Sequence, residues 1–143
     1  MMDASTVSSR KREYPRVPVV AFCTELCDEQ LRHAITVDLS EDGLRIQRPI
    51  GGKTPRRLQL EFEIPEVDEV VWALGEIRFD EVWSVPPAVV GGRPGIIRTS
   101  GIRVVSAAER HRRMLREYVM DTWRQMQAKV DEALLLASCY RHG

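Results

Sequence analysis

Residues Arg57 to Ile64 alternate polar and apolar side chains without a break. That is the period of a strand with one wet and one buried face, and Pro65 ends it. Runs rich in β-branched and aromatic residues extend the pattern to Val17–Leu26, Leu31–Asp38, Leu44–Gln47, Val70–Phe79 and Ile96–Val105. In the second run Ile35 and Val37 share one face and Thr36 and Asp38 the other. In the fifth, Trp72, Leu74, Ile77 and Phe79 are the expected core, with a change of phase around Gly75. Polar or Gly/Pro-rich connections separate the runs. About six antiparallel strands joined at hairpin scale predict a mainly β fold, closed as a small barrel or stacked as a sandwich.

The period then changes. Ala107 to Ser138 holds no Gly or Pro and is rich in helix formers. Ser106-Ala107-Ala108-Glu109 reads as a capping box. About 32 residues at about 1.5 Å each span roughly 48 Å, more than the roughly 30–35 Å across a barrel of this size, so the helix is expected to overhang. Val119, Trp123, Met126, Val130, Ala133 and Ala137 recur at heptad-like spacing, and Leu134, Leu135 and Leu136 add apolar surface. A homo-oligomer built through residues 107–138 is the expected consequence. The chain divides into a flexible basic leader (1–11), a barrel (12–106) and a helix (107–143).

Lys+Arg and Asp+Glu both number 21 in 143 residues, for zero formal net charge. A nucleic-acid binder that works by phosphate neutralisation is normally more basic, and aromatics are only 6%, a poor basis for a base-stacking platform. Any anion site must be local. No apolar run approaches the roughly 20 residues that span a bilayer. Cys23, Cys27 and Cys139 lack metal spacing and read as small hydrophobes in a reducing cytoplasm. The three histidines are scattered, and neither a nucleophile–base pair nor a phosphate-cradling glycine loop is legible, so an enzyme is not expected.

Two short patterns carry candidate chemistry. Arg12-Glu13-Tyr14-Pro15-Arg16 places two arginines in a proline-stiffened segment just before the first strand. Guanidinium groups bind phosphate bidentately and stack on flat rings. Asp38-Leu39-Ser40-Glu41-Asp42-Gly43 sets a carboxylate and a hydroxyl on one face of a strand, ahead of a glycine. A carboxylate accepts two hydrogen bonds from the N1–H and N2–H edge of guanine, serine adds a donor or acceptor, and Gly43 allows a positive-φ turn or close ligand approach. Taken singly, the first pattern also reads as a solvated basic tail and the second as a chain-reversing Asx or Ser turn.

Together with the later stretches Ala73–Phe79 and Gly101–Val104, these patterns resemble the PilZ domain family over about residues 10–118. The resemblance implies a six-stranded barrel that binds cyclic di-GMP, a bacterial second messenger, with no catalysis and no cofactor. It implies that Arg12 and Arg16 contact phosphates and guanines while Asp38, Ser40 and Gly43 line the guanine site. Lys11, just before the first motif, stands where a residue can affect whether one nucleotide or a stacked pair binds. Arg45 and Arg48 either extend the positive surface or are solvated strand residues. The Pro/Gly-rich stretch 85–95 reads as a hairpin tip or a partner-binding loop. The expected function is a cytoplasmic receptor that changes shape or affinity for a downstream protein, whose identity is not legible. The alternative is a ligand-independent module that assembles through the long helix.

Overall fold

The computed structural model describes residues 15–52, 54–85 and 95–142. Lys11 and Arg12, the leader 1–11, and residues 86–94 of the Pro/Gly-rich stretch lie outside them. Six strands form: β1 (Arg16–Cys27), β2 (Gln30–Ser40), β3 (Gly43–Arg48), β4 (Arg57–Phe62), β5 (Val71–Val85) and β6 (Gly95–Ala107). A helix, α1 (Glu109–His142), follows. The strands close into an antiparallel barrel in the order β1-β2-β3-β6-β5-β4, with β4 returning to β1 from Cys23↔Phe62 to Leu26↔Gln59. Closure leaves no long unpaired edge. The β1–β2 turn places both Asp28 and Glu29 at positive φ, as the twist of a two-residue hairpin demands.

Alternation delivers the core. Leu58, Leu60 and Phe62 of β4 point inward and are buried, with Ile64 just beyond. They meet Val17 and Cys23 of β1, Leu39 of β2, Leu44 and Ile46 of β3, and Ile102 and Val104 of β6. Each such side chain contributes about 1.5–3 kcal/mol when fully buried. Register shifts alter the phase elsewhere. One between Thr36 and Asp38 puts Ala34, Thr36 and Leu39 inside, leaving Ile35 and Val37 half-buried on the outer face. In β5 shifts occur between Leu74 and Gly75, where the sequence suggests one, and between Ile77 and Phe79. Val71 and Ala73 occupy the core, while Trp72, expected inside, alternates with them onto the outer face and stands exposed, and Leu74 is only half-buried. Phe79, also expected inside, lies on the outer face too.

The interior also holds charge. Arg48, at the far end of β3 from its Glu41–Asp42 turn, does not extend the surface. Its Nε and Nη2 donate to the two Glu25 carboxylate oxygens at 2.9 and 2.7 Å, and both side chains are 1% exposed. Beside them Arg98 donates to Asp80 at 3.0 and 2.9 Å and to the carbonyls of Pro49 and Gly51 at 3.2 and 2.6 Å. The Ser100 hydroxyl donates to Asp80 at 2.8 Å, and Thr54 bonds the same carboxylate. Hydrogen bonds from Arg98, then Thr54 and Ser100, hold Asp80 well below the usual carboxylate range. Burial, with the Glu25 charge, pushes the Cys23 thiol up to about 12, so this free thiol stays protonated and unreactive.

Ser106 remains in β6, paired with Leu74. The helix starts later than the capping box implies, and Arg112 N–H donates to the Ala108 carbonyl in the first turn. Leu115 and Val119 bury against the barrel, so Val119 belongs to that contact and not to a seam between copies. His111 helps seat the helix. It accepts from the Trp72 backbone N–H at 3.2 Å through Nδ1 and lies 3.0 Å from Glu69 through Nε2. From Trp123 to Cys139 every residue is exposed. At about 1.5 Å per residue the 34 residues of α1 span roughly 51 Å, so tertiary burial holds only its first third.

Candidate ligand-binding site

Antiparallel register assembles the site. Arg16 stands opposite Ser40 across β1–β2, Asp38 opposite Arg45 across β2–β3, Arg45 opposite Gly101 across β3–β6, and Gly101 opposite Phe79 across β6–β5. One row on the outer face therefore runs from Arg16 through Asp38 and Arg45 to Phe79. Arg16 Nη1 donates to Asp38 Oδ1 at 2.7 Å, and Arg45 Nη1 lies 3.5 Å from Asp38 Oδ2. Asp38 is 15% exposed, whereas Arg16 and Arg45 are 45% and 43% exposed. A half-sheltered carboxylate thus sits between two guanidiniums that still face water. Arg45 Nε is buried and has no acceptor among the described residues.

Ser40 and Gly43 pair at the neck of the turn. Ser40 is buried, its hydroxyl 3.0 Å from Asp42 Oδ1 and 3.3 Å from the Gly43 carbonyl. In this state it closes the turn. Gly43 has no positive φ. A side chain there would place Cβ 2.4 Å from the Ile102 carbonyl oxygen, so glycine is required by the close approach of β3 to β6, with Val104 N–H donating to the Asp42 carbonyl at 2.8 Å. The glycine sets the platform behind the site. Arg12, the other half of the arginine pattern, lies outside the described residues.

Beyond Arg45 the outer face dips into a groove of about 560 Å³ between Val37, Gln47, Phe79, Trp83 and Thr99. The Arg45 guanidinium carbon lies 5.7 Å from the centre of the Phe79 ring, within cation–π range. Gly101 permits this: a Cβ there would fall 2.0 Å from the ring, so the ring occupies the space a side chain would take. Sequence reading missed Phe79 and Trp83 as surface groups. The signal available was the glycine opposite an aromatic residue, a pairing that covers bare backbone on a sheet face.

The PilZ domain profile matches residues 10–121. The chain belongs to the PilZ domain family. This PilZ barrel is similar to three solved structures. The PilZ domain with c-di-GMP of YcgR from Escherichia coli shares 18% identity at a TM-score of 0.64, over 85% of this chain and 98% of that one. The Bacillus subtilis inhibitor of motility MotI/DgrA shares 17% at 0.62, over 81% and 52%. YcgR in complex with c-di-GMP from Escherichia coli shares 17% at 0.60, over 86% and 50%. The chain thus spans about half of the latter two. At such identity the likeness concerns the fold. No curated protein matches the sequence closely enough to count as a relative. Among the described residues, no three His, Cys, Asp or Glu side chains gather as a metal site, and no helix is long and apolar enough to cross a membrane.

Proposed function

We propose that the row from Arg16 to Phe79 binds cyclic di-GMP and that the protein is a non-catalytic receptor for it. The observation that carries this reading is the Asp38 carboxylate held between Arg16 and Arg45 on the outer face. A carboxylate offers about four lone-pair directions, so Asp38 can accept from a guanine edge without discarding both arginines. The guanidiniums can turn to phosphate or to the O6/N7 edge of guanine. The adjoining groove, with Phe79 and Trp83 on its walls, suits a flat ring. Family membership, and the c-di-GMP named in two of the similar structures, support the choice of nucleotide.

In this reading Arg12 joins Arg16 on the nucleotide, Lys11 borders them, and Ser40 and Gly43 shape the guanine end of the site. Ligand closure draws the residues that precede β1 onto the barrel, a change of shape that a partner protein can read. Titration calorimetry tests the binding. We expect a saturable signal with the wild type, and no heat and no thermal shift at about 100 µM ligand, where micromolar binding would already be saturated, would overturn it. Hydrogen exchange at residues 8–18 should slow on ligand addition.

One observation favours a second reading, assembly through the helix irrespective of nucleotide. Trp123, Met126, Val130 and Leu134–Leu136 are exposed on a helix that no other part of the described chain covers. We propose that α1 joins copies of the chain. Sedimentation should show an oligomer at tens of micromolar, and a monomer there would end the idea. An oligomer that binds no nucleotide would leave the scaffold reading alone.

A further inference from the structure

A second surface lies on the same strands as the nucleotide row and plays no part in it. Val20 and Phe22, on the outward face of β1, are 85% and 69% exposed. Phe22 stands opposite Ile35 of β2. Between them and the segment after β4 runs a groove of about 400 Å³. A second depression, of about 300 Å³, lies on the other side of that segment against Met114 and Tyr118 of α1. Pro65, Glu66 and Val67 line both and form the wall between them. The Val67 N–H donates to the Ile64 carbonyl at 3.1 Å, and Glu66 takes a φ of 69°, a conformation that a residue with a side chain adopts seldom.

The floor of the first depression is mainly apolar, that of the second mixes Val67, Met114 and Tyr118 with Thr122 and Gln125, and both carry an acidic rim. Glu63 and Glu66 line the first depression, and Glu66, Glu117 and Asp121 line the second. Asp121 has Arg124 at 3.4 Å. Among the described residues, no cation stands within 4 Å of Glu63, Glu66 or Glu117. The surface therefore combines exposed aromatic and aliphatic side chains with negative charge that no cation among the described residues compensates. An occupant must supply the opposite of both. One apolar side chain meets Val20, Phe22 and Ile35 in the first depression, another meets Val67 and Met114 in the second, and positive charges meet the rim, where complementary potential gives specificity and speeds encounter.

We propose that this two-part groove docks a segment of a partner protein that carries Lys or Arg around two apolar side chains. The proposal goes beyond nucleotide binding and does not depend on it. The geometry nevertheless allows the two to communicate. Val20 and Ile35 lie on the strands that carry Arg16 and Asp38, and the β1–β2 register is irregular between Pro18 and Ala21, between the two surfaces.

The test uses the full chain without nucleotide and a short fluorescent peptide in which Lys and Arg surround two leucines. Controls are the same peptide with Glu for each cation and one with Ser for each leucine. We expect the basic apolar peptide to bind, and its affinity to fall at least about 10-fold, a loss of about 1.4 kcal/mol, for Glu66→Lys/Glu117→Lys and for Phe22→Ser. Val20→Lys serves as a second, fully exposed variant should Phe22→Ser fold poorly. Equal binding of either control peptide, or unchanged affinity in these variants, overturns the proposal. Tighter peptide binding after removal of residues 1–11 would assign the groove to the chain's own Arg10-Lys11 segment instead. Altered sedimentation of Glu66→Lys/Glu117→Lys would assign it to a second copy. Cyclic di-GMP titrations on the same variants keep the two readings apart: nucleotide binding should survive while peptide binding is lost.

Discussion

Two clusters of arginine and carboxylate sit on the same barrel in opposite environments. Inside, Glu25 and Arg48 are fully buried beside the buried Arg98, which holds the part-exposed Asp80 at the edge of the cluster, and Ser100, Thr54 and backbone carbonyls complete the ties. Outside, Arg16–Asp38–Arg45 holds together through one short contact and one longer one, with both guanidiniums open to water. The difference lies in desolvation. A buried charge that loses its partner has no water to turn to, so the inner pairs are locked. A half-exposed pair loses little when it opens, which is what the proposed exchange of a carboxylate for a nucleotide requires. The inner cluster holds the frame and the outer one is available for binding.

That contrast can be broken by experiment. The largest effect should come from Arg48→Ala, which strands Glu25 in the core. Chemical denaturation should show a loss of about 3–5 kcal/mol, and a loss under about 1 kcal/mol would mean that the pair is solvated. Replacing both members, as Glu25→Leu/Arg48→Met, should restore most of that stability.

Next in size is Asp38→Ala. Losing a hydrogen bond to a charged group costs about 1.5–3 kcal/mol, so cyclic di-GMP affinity should fall roughly 10- to 150-fold by calorimetry. Wild-type affinity would remove Asp38 from the site.

Acid offers a third probe. The pKa of Asp80 is lowered in the folded state from 3.8. Its contribution is therefore present in full above about pH 4 and is lost as pH falls below that, at up to about 1.4 kcal/mol per pH unit for one proton. Asp80→Asn should flatten the acid limb of the stability profile, and an unchanged limb would show that other carboxylates set it.

The smallest effect should be that of Arg16→Ala on the ligand-free protein. Exposed pairs contribute about 0–1 kcal/mol, so the denaturation midpoint should barely move while nucleotide affinity falls. A clear loss of stability would make Arg16 part of the frame.

Gly101→Val sharpens the comparison from the side of the groove. Its side chain would displace the Phe79 ring and should weaken nucleotide binding more than its overpacking cost of about 1–3 kcal/mol weakens the fold.

Much of the barrel was legible because strand periodicity is local. Leu58, Leu60 and Phe62 declare their face by alternation, and Ala107 to Ser138 reads as helix from composition alone. The two short patterns likewise marked Arg16, Asp38, Ser40 and Gly43, which register then brought to one region. What failed were faces set by long-range pairing. Trp72 and Phe79 look like core by hydrophobicity, and nothing near them in the chain announces the β5 register shift that turns Phe79 outward. Arg48 looks like a solvated strand residue, because its partner Glu25 is 23 residues away. Ser106 resembles a helix cap, yet pairing with Leu74 keeps it in the sheet. Gly43 reads as a turn glycine, while the constraint comes from the Ile102 carbonyl on a strand nearly sixty residues later.

The sequence by itself therefore determined the kinds of element, their order and the residue types at the proposed nucleotide site, since these follow from local period, propensity and side-chain chemistry. Tertiary structure alone decided which charges are locked and which are free, because burial depends on what the barrel brings alongside. It also decided that Asp38 lies between two arginines and that Phe79 rests on Gly101. The physical reason is common to all of these. Closing six strands into a barrel fixes neighbours across registers that no stretch of the chain contains.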